Sequence, residues 1–388
     1  MEVDDGTPPL AVAAANYGVL PVDVLYDVLL RLPAKELCRL RLVCRSWRSL
    51  TSDPLFAKAH SRRHPPHAVV LSYESNEVQV VDLHGHFVKR IPIGQQLSAM
   101  VLTTQGDLAC VSHGWGLAYV LSLATGAVIA DTGIESRSKV NAEKPMCVLG
   151  RVPSTGEYKL LRIQSHTRSY NNRCVVTTSQ TCEVMTLGRR WRKRPRPPAL
   201  LSCWSVAVVI AGLAYFLTNA EEVAEQPDSI AVFDMATEKW KPTTIQGPLS
   251  SSNIILSASS GEEVVVYPTI VLRKQFRLAR LNERLVTLYC NLEECATELW
   301  ILVDMEESLW TKLYTLQGTQ LEDKFYLHYR YHYPLVILDD GKIVIWVART
   351  GSLRAYDPRT STWADLATVS GAVVMHHGSL LCPNLGVE

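Results

Sequence analysis

Leu20 to His60 reads LPVDVLYDVLLRLPAKELCRLRLVCRSWRSLTSDPLFAKAH, and its punctuation decides the N-terminal fold. After Leu20-Pro21, the residues Val24, Leu25, Val28, Leu29 and Leu32 recur at the spacing of one helical face, and Pro33 stops that helix. A second helical run carries Leu37 and Leu40, and a third carries Val43, Cys44, Trp47 and Leu50. Asp53-Pro54 supplies an N-cap followed by proline at the first helical position, opening a short fourth turn through Phe56. Three to four short helices in about forty residues make a core too small to stand alone without metal, disulfides or a partner. Leu30, Leu32, Leu37, Leu40, Leu42 and Val43 exceed what such a bundle hides, so the surplus is expected to dock on another protein.

The run Leu20-Pro21, Leu25, Leu29, Leu32-Pro33, Leu37, Val43-Cys44, Ser46-Trp47-Arg48 and Asp53-Pro54-Leu55-Phe56 resembles an F-box in the form common in plants, without a gap. The resemblance implies binding to the adaptor subunit of a cullin-RING ubiquitin ligase. The residues implied in that contact are Leu20, Pro21, Val24, Leu25, Leu29, Leu32, Pro33, Leu37, Leu40, Val43, Cys44 and Trp47. The rival reading is a helical hairpin that caps a larger domain.

The chain has 388 residues, which suits one small module and one large domain. A formal net charge of +1 gives no global field toward nucleic acid or an anionic membrane. Ten scattered cysteines with no CxxC pair read as thiols of a reducing compartment. Residues 1–16 read as a frayed tail, because their short apolar stretch has no lysine or arginine ahead of it and so lacks the pattern of a secretory signal. Residues 17–60 are the helical module, 61–67 (SRRHPPH) a linker, and 68–388 an all-β domain.

From Ala68 onward, short runs of Val, Ile, Leu and Tyr are broken by Gly, Asn, Asp or Pro, the texture of antiparallel sheet. One unit recurs: an apolar pair, a turn containing Asp or Thr-Gly, and then an aromatic or apolar residue. Its turn positions are Asp82, Leu123, Leu187, Asp234, Asp304 and Asp357, with steps of 41, 64, 47, 70 and 53 residues. Such periods predict the blades of a β-propeller, about six, with the two long steps holding insertions or an undetected blade. Each aspartate closes its own turn through side-chain to backbone bonds, and the tryptophan that follows seals the neighbouring sheet. A pair of β-sandwiches is the plainer alternative. A further expectation is ring closure: strands at Ala372–Met375 and Ser379–Cys382 complete the blade begun at Val69, placing residues near Leu380 beside those near Val70.

This region resembles the F-box-associated domain of many plant proteins. The resemblance rests on Gly150, PSTGEYKLLRI at Pro153–Ile163, CEVMTLG at Cys182–Gly188, GLAYFL at Gly212–Leu217, FDMATEKW at Phe233–Trp240, LARLNERL at Leu278–Leu285, ELWILVD at Glu298–Asp304 and YDPRT at Tyr356–Thr360. It implies a recognition domain and leaves the target open.

Several stretches carry a rival meaning. Ala199–Leu217 is long and apolar enough for a membrane span, but Ala211-Gly212 reads as a turn between two buried strands. RRWRKRPR at Arg189–Arg196 reads as a phosphate-binding or nuclear-address run, or as a solvated turn. The pairs His84/His86, His328/His332 and His376/His377 lack a further ligand at metal spacing, so no metal or other cofactor is expected. Tyr329, Arg330, Tyr331 and His332 are the weak candidates for target binding, since aromatic and cationic side chains suit a protein-recognition rim. No nucleophile elbow, zinc helix or phosphate loop is present, which leaves Glu183, Glu298 and Asp339 as carboxylates that a channel would have to bring together. The function expected is a non-catalytic substrate receptor of an SCF-type ligase, in cytoplasm and/or nucleus, with no nucleic-acid or membrane partner. The alternatives are a propeller-type hydrolase and a protein-interaction scaffold unconnected with ubiquitin.

Overall fold

The computed structural model describes residues 21–64, 66–72, 74–93, 100–113, 118–131, 145–170, 174–202, 206–218, 229–249, 276–291, 296–317, 332–348, 350–376 and 381. The chain forms two units, Met1–His64 with Leu381–Glu388, and Pro65–Leu380.

The first unit is four helices, α1 (Val22–Leu30), α2 (Ala34–Leu40), α3 (Arg45–Ser52) and α4 (Pro54–Arg63). The proline and capping signals set their limits. Pro33 is the N-cap of α2, Cys44 caps α3 by accepting from the Trp47 amide, and Asp53 Oδ1 accepts from the Leu55 amide at 2.7 Å with Pro54 opening α4. α4 runs on to Arg63 instead of ending near Phe56, because Phe56, Ala57 and His60 lie on one face and are buried. Three of the seven residues expected as linker, 61–63, are therefore helix, and the first strand begins at His67. The core holds Leu29, Leu30, Leu37, Phe56 and Ala57, and Leu381 from the far end of the chain is fully buried among them. Tyr26 meets Phe56 edge-on with ring centroids 5.1 Å apart. His60 and His64 stack at 4.1 Å, and their Nε2 atoms reach the carbonyls of Leu32 and Leu30, groups the end of α1 leaves unpaired.

The second unit is a propeller of six four-stranded antiparallel blades. The inner strands of successive blades are β24 (Ala372–His376), β4 (Met100–Gln105), β8 (Met146–Arg151), β12 (Val208–Ile210), β16 (Phe276–Leu281) and β20 (His332–Ile337). The six recurring turns fall one per blade, each between the third strand and the outermost. Asp82 Oδ1 accepts from the His84 and His86 amides, Asp234 Oδ1 from Ala236, Asp304 Oδ1 from Glu306 and Asp357 Oδ1 from Arg359, so each side chain closes its own turn. Among the described residues the long steps hold no extra blade. The step of 64 spans two thirteen-residue strands, β9 (Tyr158–Tyr170) and β10 (Cys174–Thr186), and the step of 70 takes in residues 250–275, outside the described ones.

Alternation along each strand assigns side chains to the two neighbouring blades. In β1 (His67–Ser72), Ala68 and Val70 pack with Leu335, Val344 and Leu353 of the last blade, while Val69 and Leu71 pack with Leu102, Ala109 and Val111 of the next. Six such apolar layers separate the six blades. Tryptophans of outer strands add latches: Trp240 Nε1 donates to the Pro195 carbonyl at 3.0 Å and Trp310 Nε1 to that of Gln246 at 2.7 Å, each in the preceding blade. Ala199–Leu217 resolves as expected into β12 and β13 (Leu213–Leu217), turning at Ala211 and Gly212, both with positive φ.

Closure comes from the C-terminal strand. β24 pairs antiparallel with β1, Val373 opposite Val70, and β2 (Glu77–Val81) and β3 (Phe87–Pro92) complete the first blade in the order β24-β1-β2-β3. Gly371, at φ +140°, opens this strand where a Cβ would lie 1.9 Å from the Leu71 carbonyl oxygen, so only glycine fits. The strand that closes the ring is Ala372–His376; the other expected strand, Ser379–Cys382, falls, apart from Leu381, outside the described residues, and Leu381 belongs to the helical unit.

Two variants separate these roles. Deleting Ser370–Glu388 removes β24 and should abolish the cooperative melting of the propeller. Leu381→Ala should leave that transition in place while lowering the stability of the helical unit by about 2–4 kcal/mol, read by circular dichroism at a helical wavelength, as for other buried leucines.

Candidate functional site

The helical unit divides the twelve residues implied in partner binding by burial. Leu29 and Leu37 are interior and hold the unit together. Leu25, Leu32, Leu40 and Trp47 are partly buried against that core. Pro21, Val24, Pro33, Val43 and Cys44 are exposed, and Leu20 lies outside the described residues. Of the six residues expected to carry the surplus apolar surface, Leu42 is 88% and Val43 62% exposed, whereas Leu30 and Leu37 are covered and Leu32 and Leu40 are partly buried. Val22, Val24 and Val28 on α1 and Leu55 at the start of α4 are exposed as well. Val24 and Val28 share a helical face at i, i+4, and Leu42-Val43 sit in the turn between α2 and α3. Sequence reasoning missed Val22 and Leu55; their signal was an apolar residue out of phase with the buried stripe.

In the propeller, Tyr329, Arg330 and Tyr331 lie outside the described residues. His332 packs against Trp363 with centroids 5.7 Å apart, and burial, with Arg354 adding to it, pushes its pKa down. That is the setting of a covered blade residue. Glu183, Glu298 and Asp339 are not brought together. Glu183 pairs with Arg162 in the third blade, Glu298 with Lys312 in the fifth, and Asp339 follows β20 in the sixth. None of the three lines the cavity that the inner strands of the six blades leave along the propeller axis. Among the described residues no group of three or more His, Cys, Asp or Glu is gathered as metal ligands, and no helix is long and apolar enough to cross a membrane.

Residues 17–62 match the F-box-like family model, and residues 129–361, more than half of the chain, match the F-box associated beta propeller domain. The chain belongs to the F-box-associated β-propeller family. An Arabidopsis thaliana F-box/kelch-repeat protein is 52% identical over 42 residues, covering 11% of this chain and 12% of the relative. An Arabidopsis F-box protein is 24% identical over 231 residues, covering 54% and 56%, and the Arabidopsis F-box only protein 6 is 24% identical over 302 residues, covering 75% and 58%. The chain thus spans under two thirds of the length of these relatives. Among solved structures, a functionally unknown protein from Desulfotomaculum acetoxidans aligns over 81% of this chain and 100% of its own at 9% identity, with a TM-score of 0.43.

Within this F-box-associated propeller, the basic run at Arg189–Arg196 is not simply solvated. Arg192 and Arg194 leave the third blade to meet Glu238 of the fourth, at 2.6 Å for Arg192 Nη2 and 2.6 Å for Arg194 Nε. Lys159 adds a third cation at 2.9 Å and also donates to the Met235 carbonyl. Glu238 sits in a turn with φ +55° and is nearly buried. Burial pushes its carboxyl up, but hydrogen bonds from Lys159, Arg192 and Arg194 outweigh that and hold it at about 2. Two of the run's cations are therefore structural, tying one blade to the next, which weakens any nucleic-acid reading.

Glu238→Gln should cost about 3–5 kcal/mol, because it leaves three cations facing a neutral group. Because the folded-state pKa is depressed, the stabilisation is present above the unfolded carboxylate value and is lost as pH falls toward about 2. Thermal melts of wild type should lose stability over that acidic window more steeply than those of the variant, and parallel curves would rule out the cage.

Proposed function

We propose that this chain is the substrate receptor of an SCF-type cullin-RING ubiquitin ligase, its helical unit docking on the adaptor subunit and its propeller holding the protein to be ubiquitinated. The observation that carries the reading is the uncovered apolar surface of the helical unit: Val22, Val24, Val28, Leu42, Val43 and Leu55 face solvent in a unit of four short helices whose core is already filled. Membership of a family defined by an F-box and a propeller supports the same division of labour. The receptor role needs no chemistry of its own, consistent with carboxylates dispersed over separate blades. The site of action is the cytoplasm and/or the nucleus, where ubiquitin ligases of this class work.

Of the twelve residues implied in adaptor binding, the exposed ones make the contact, and Leu29 and Leu37 serve it by shaping the unit. Leu42→Glu combined with Val43→Glu should reduce co-purification of the adaptor by at least about tenfold, the scale of a lost desolvated anchor, while the melting temperature stays that of wild type. Leu37→Ala should lower both. Undiminished adaptor binding by the double variant would overturn the docking face.

A further inference from the structure

The Glu238 cage uses only two cations of the basic run. Arg192 and Arg194 lie on β11 (Arg192–Arg194), the outermost strand of the third blade, and meet Glu238. Arg189, Arg190, Lys193 and Arg196 are exposed and have no acidic partner among the described residues. Lys239 joins them on the same rim: Arg194 meets Glu238, Trp240 Nε1 donates to the Pro195 carbonyl, and Lys239 lies exposed between those two anchor points. The carboxylates placed here are already engaged, Glu183 by Arg162, Glu238 by three cations, and Asp234 by Ala236 and Thr237 of its own turn.

This charge is local. Residues 146–196, the third blade with the end of its basic run, hold eleven Lys and Arg against two Asp and Glu. The whole chain holds 39 and 38, so the remaining residues carry 28 against 36. A chain of net charge +1 therefore places a blade of +9 on a remainder of −8, and the field over that blade is opposite in sign to the rest. The strand that carries the charge is also held on both faces. Arg192 and Arg194 tie one face to Glu238, while Trp191 packs on the apolar layer toward the second blade, with the Arg162 guanidinium 4.2 Å from its ring centroid. A partner that meets this rim has little of its backbone to order.

The size and sign of the rim choose the partner. Duplex nucleic acid or an anionic membrane extends past one blade and meets the acidic remainder, whose repulsion reaches about 8–10 Å at ordinary salt. A short acidic segment stays within the rim. At about 3.3 Å per residue, the eight residues from Arg189 to Arg196 reach at most about 25 Å, the length of an extended segment of about eight residues. Three of the four free cations of the run are arginines, whose forked N–H groups pair with carboxylates two bonds at a time.

We infer that the outer rim of the third blade, with Lys239 of the fourth, docks an acidic segment of a partner protein, rich in aspartate and glutamate. That the partner is the protein to be ubiquitinated rests on the receptor reading above; the docking itself does not.

The test is fluorescence anisotropy of a labelled peptide of about eight residues alternating Asp and Glu, titrated with the full chain, against the same peptide in Asn and Gln. The acidic peptide should bind at least about tenfold more tightly at low salt, and added salt should shrink the preference. Arg189→Glu, Arg190→Glu, Lys193→Glu and Arg196→Glu together should abolish it, with the melting temperature and adaptor co-purification of wild type, because Arg192 and Arg194 are untouched. Reversing four exposed cations of the helical unit instead, Arg45, Lys58, Arg62 and Arg63, changes the net charge equally and should leave peptide affinity within about twofold. Should the fourfold rim variant melt early, Arg189→Gln with Arg190→Gln, confined to the turn, should still weaken the acidic peptide by about threefold. Equal affinity for the two peptides, a rim variant that binds as wild type, or an equal loss from the helical-unit variant would overturn the proposal. So would tighter binding of a DNA duplex or of phosphatidylserine–phosphatidylcholine vesicles than of the peptide, or self-association that the rim variant dissolves. Adaptor co-purification is read separately, so its failure would sink the receptor reading and leave the peptide result standing.

Discussion

The pairing of β24 with β1 is the constraint on which the propeller depends. Without it the first blade lacks its inner strand, and the apolar layers on both of its sides lose a wall, since Val373 and Met375 pack toward the last blade and Ala372 and Val374 toward the second. An open ring would also leave backbone groups of β1 unpaired along a hydrophobic edge, the arrangement that invites aggregation. The cavity depends on the same closure, because β24 supplies part of its wall. One short strand near the C-terminus thus governs the axial cavity as well as the outer packing.

Closure also covers the faces of every blade. Each sheet is covered on both faces by its neighbours, so the inner strands are largely apolar while outer strands such as Arg192–Arg194 and Thr362–Thr368 are polar, and specificity comes from alternation and turn chemistry. Polar links also cross between blades. Glu238 with its three cations ties the third blade to the fourth, Tyr158 donates to Asp107 across the second and third, and tryptophan N–H groups cap the outer strands. These latches set blade-to-blade register, which a purely apolar layer leaves free to slide.

The helical unit follows another rule. It is too small to bury all of its apolar residues, and it draws in Leu381 from the end of the chain to fill its centre. What remains outside is concentrated on α1, the turn before α3 and the first turn of α4. A surface of that kind is stable in water only at a cost, and a partner that covers it converts the cost into affinity.

Much of this was legible in the amino-acid order. Pro33, Cys44 and Asp53-Pro54 place the helix limits because proline and capping chemistry act locally, and the recurring turns count the blades, four of the six closed by an aspartate on its own backbone. The turn at Ala211-Gly212 was equally local, which is why two strands could be read where hydropathy alone suggested a membrane span. Only the tertiary structure decided which apolar residues face solvent, since Leu30 and Leu42 look alike in sequence and differ by what packs on them. It also decided that Glu238 collects cations from two separate strands, that the carboxylates of different blades stay apart, and that Gln105 and Arg280 meet across the ring. Local chemistry is written in neighbouring residues; contacts between residues far apart along the chain exist only once the ring has closed.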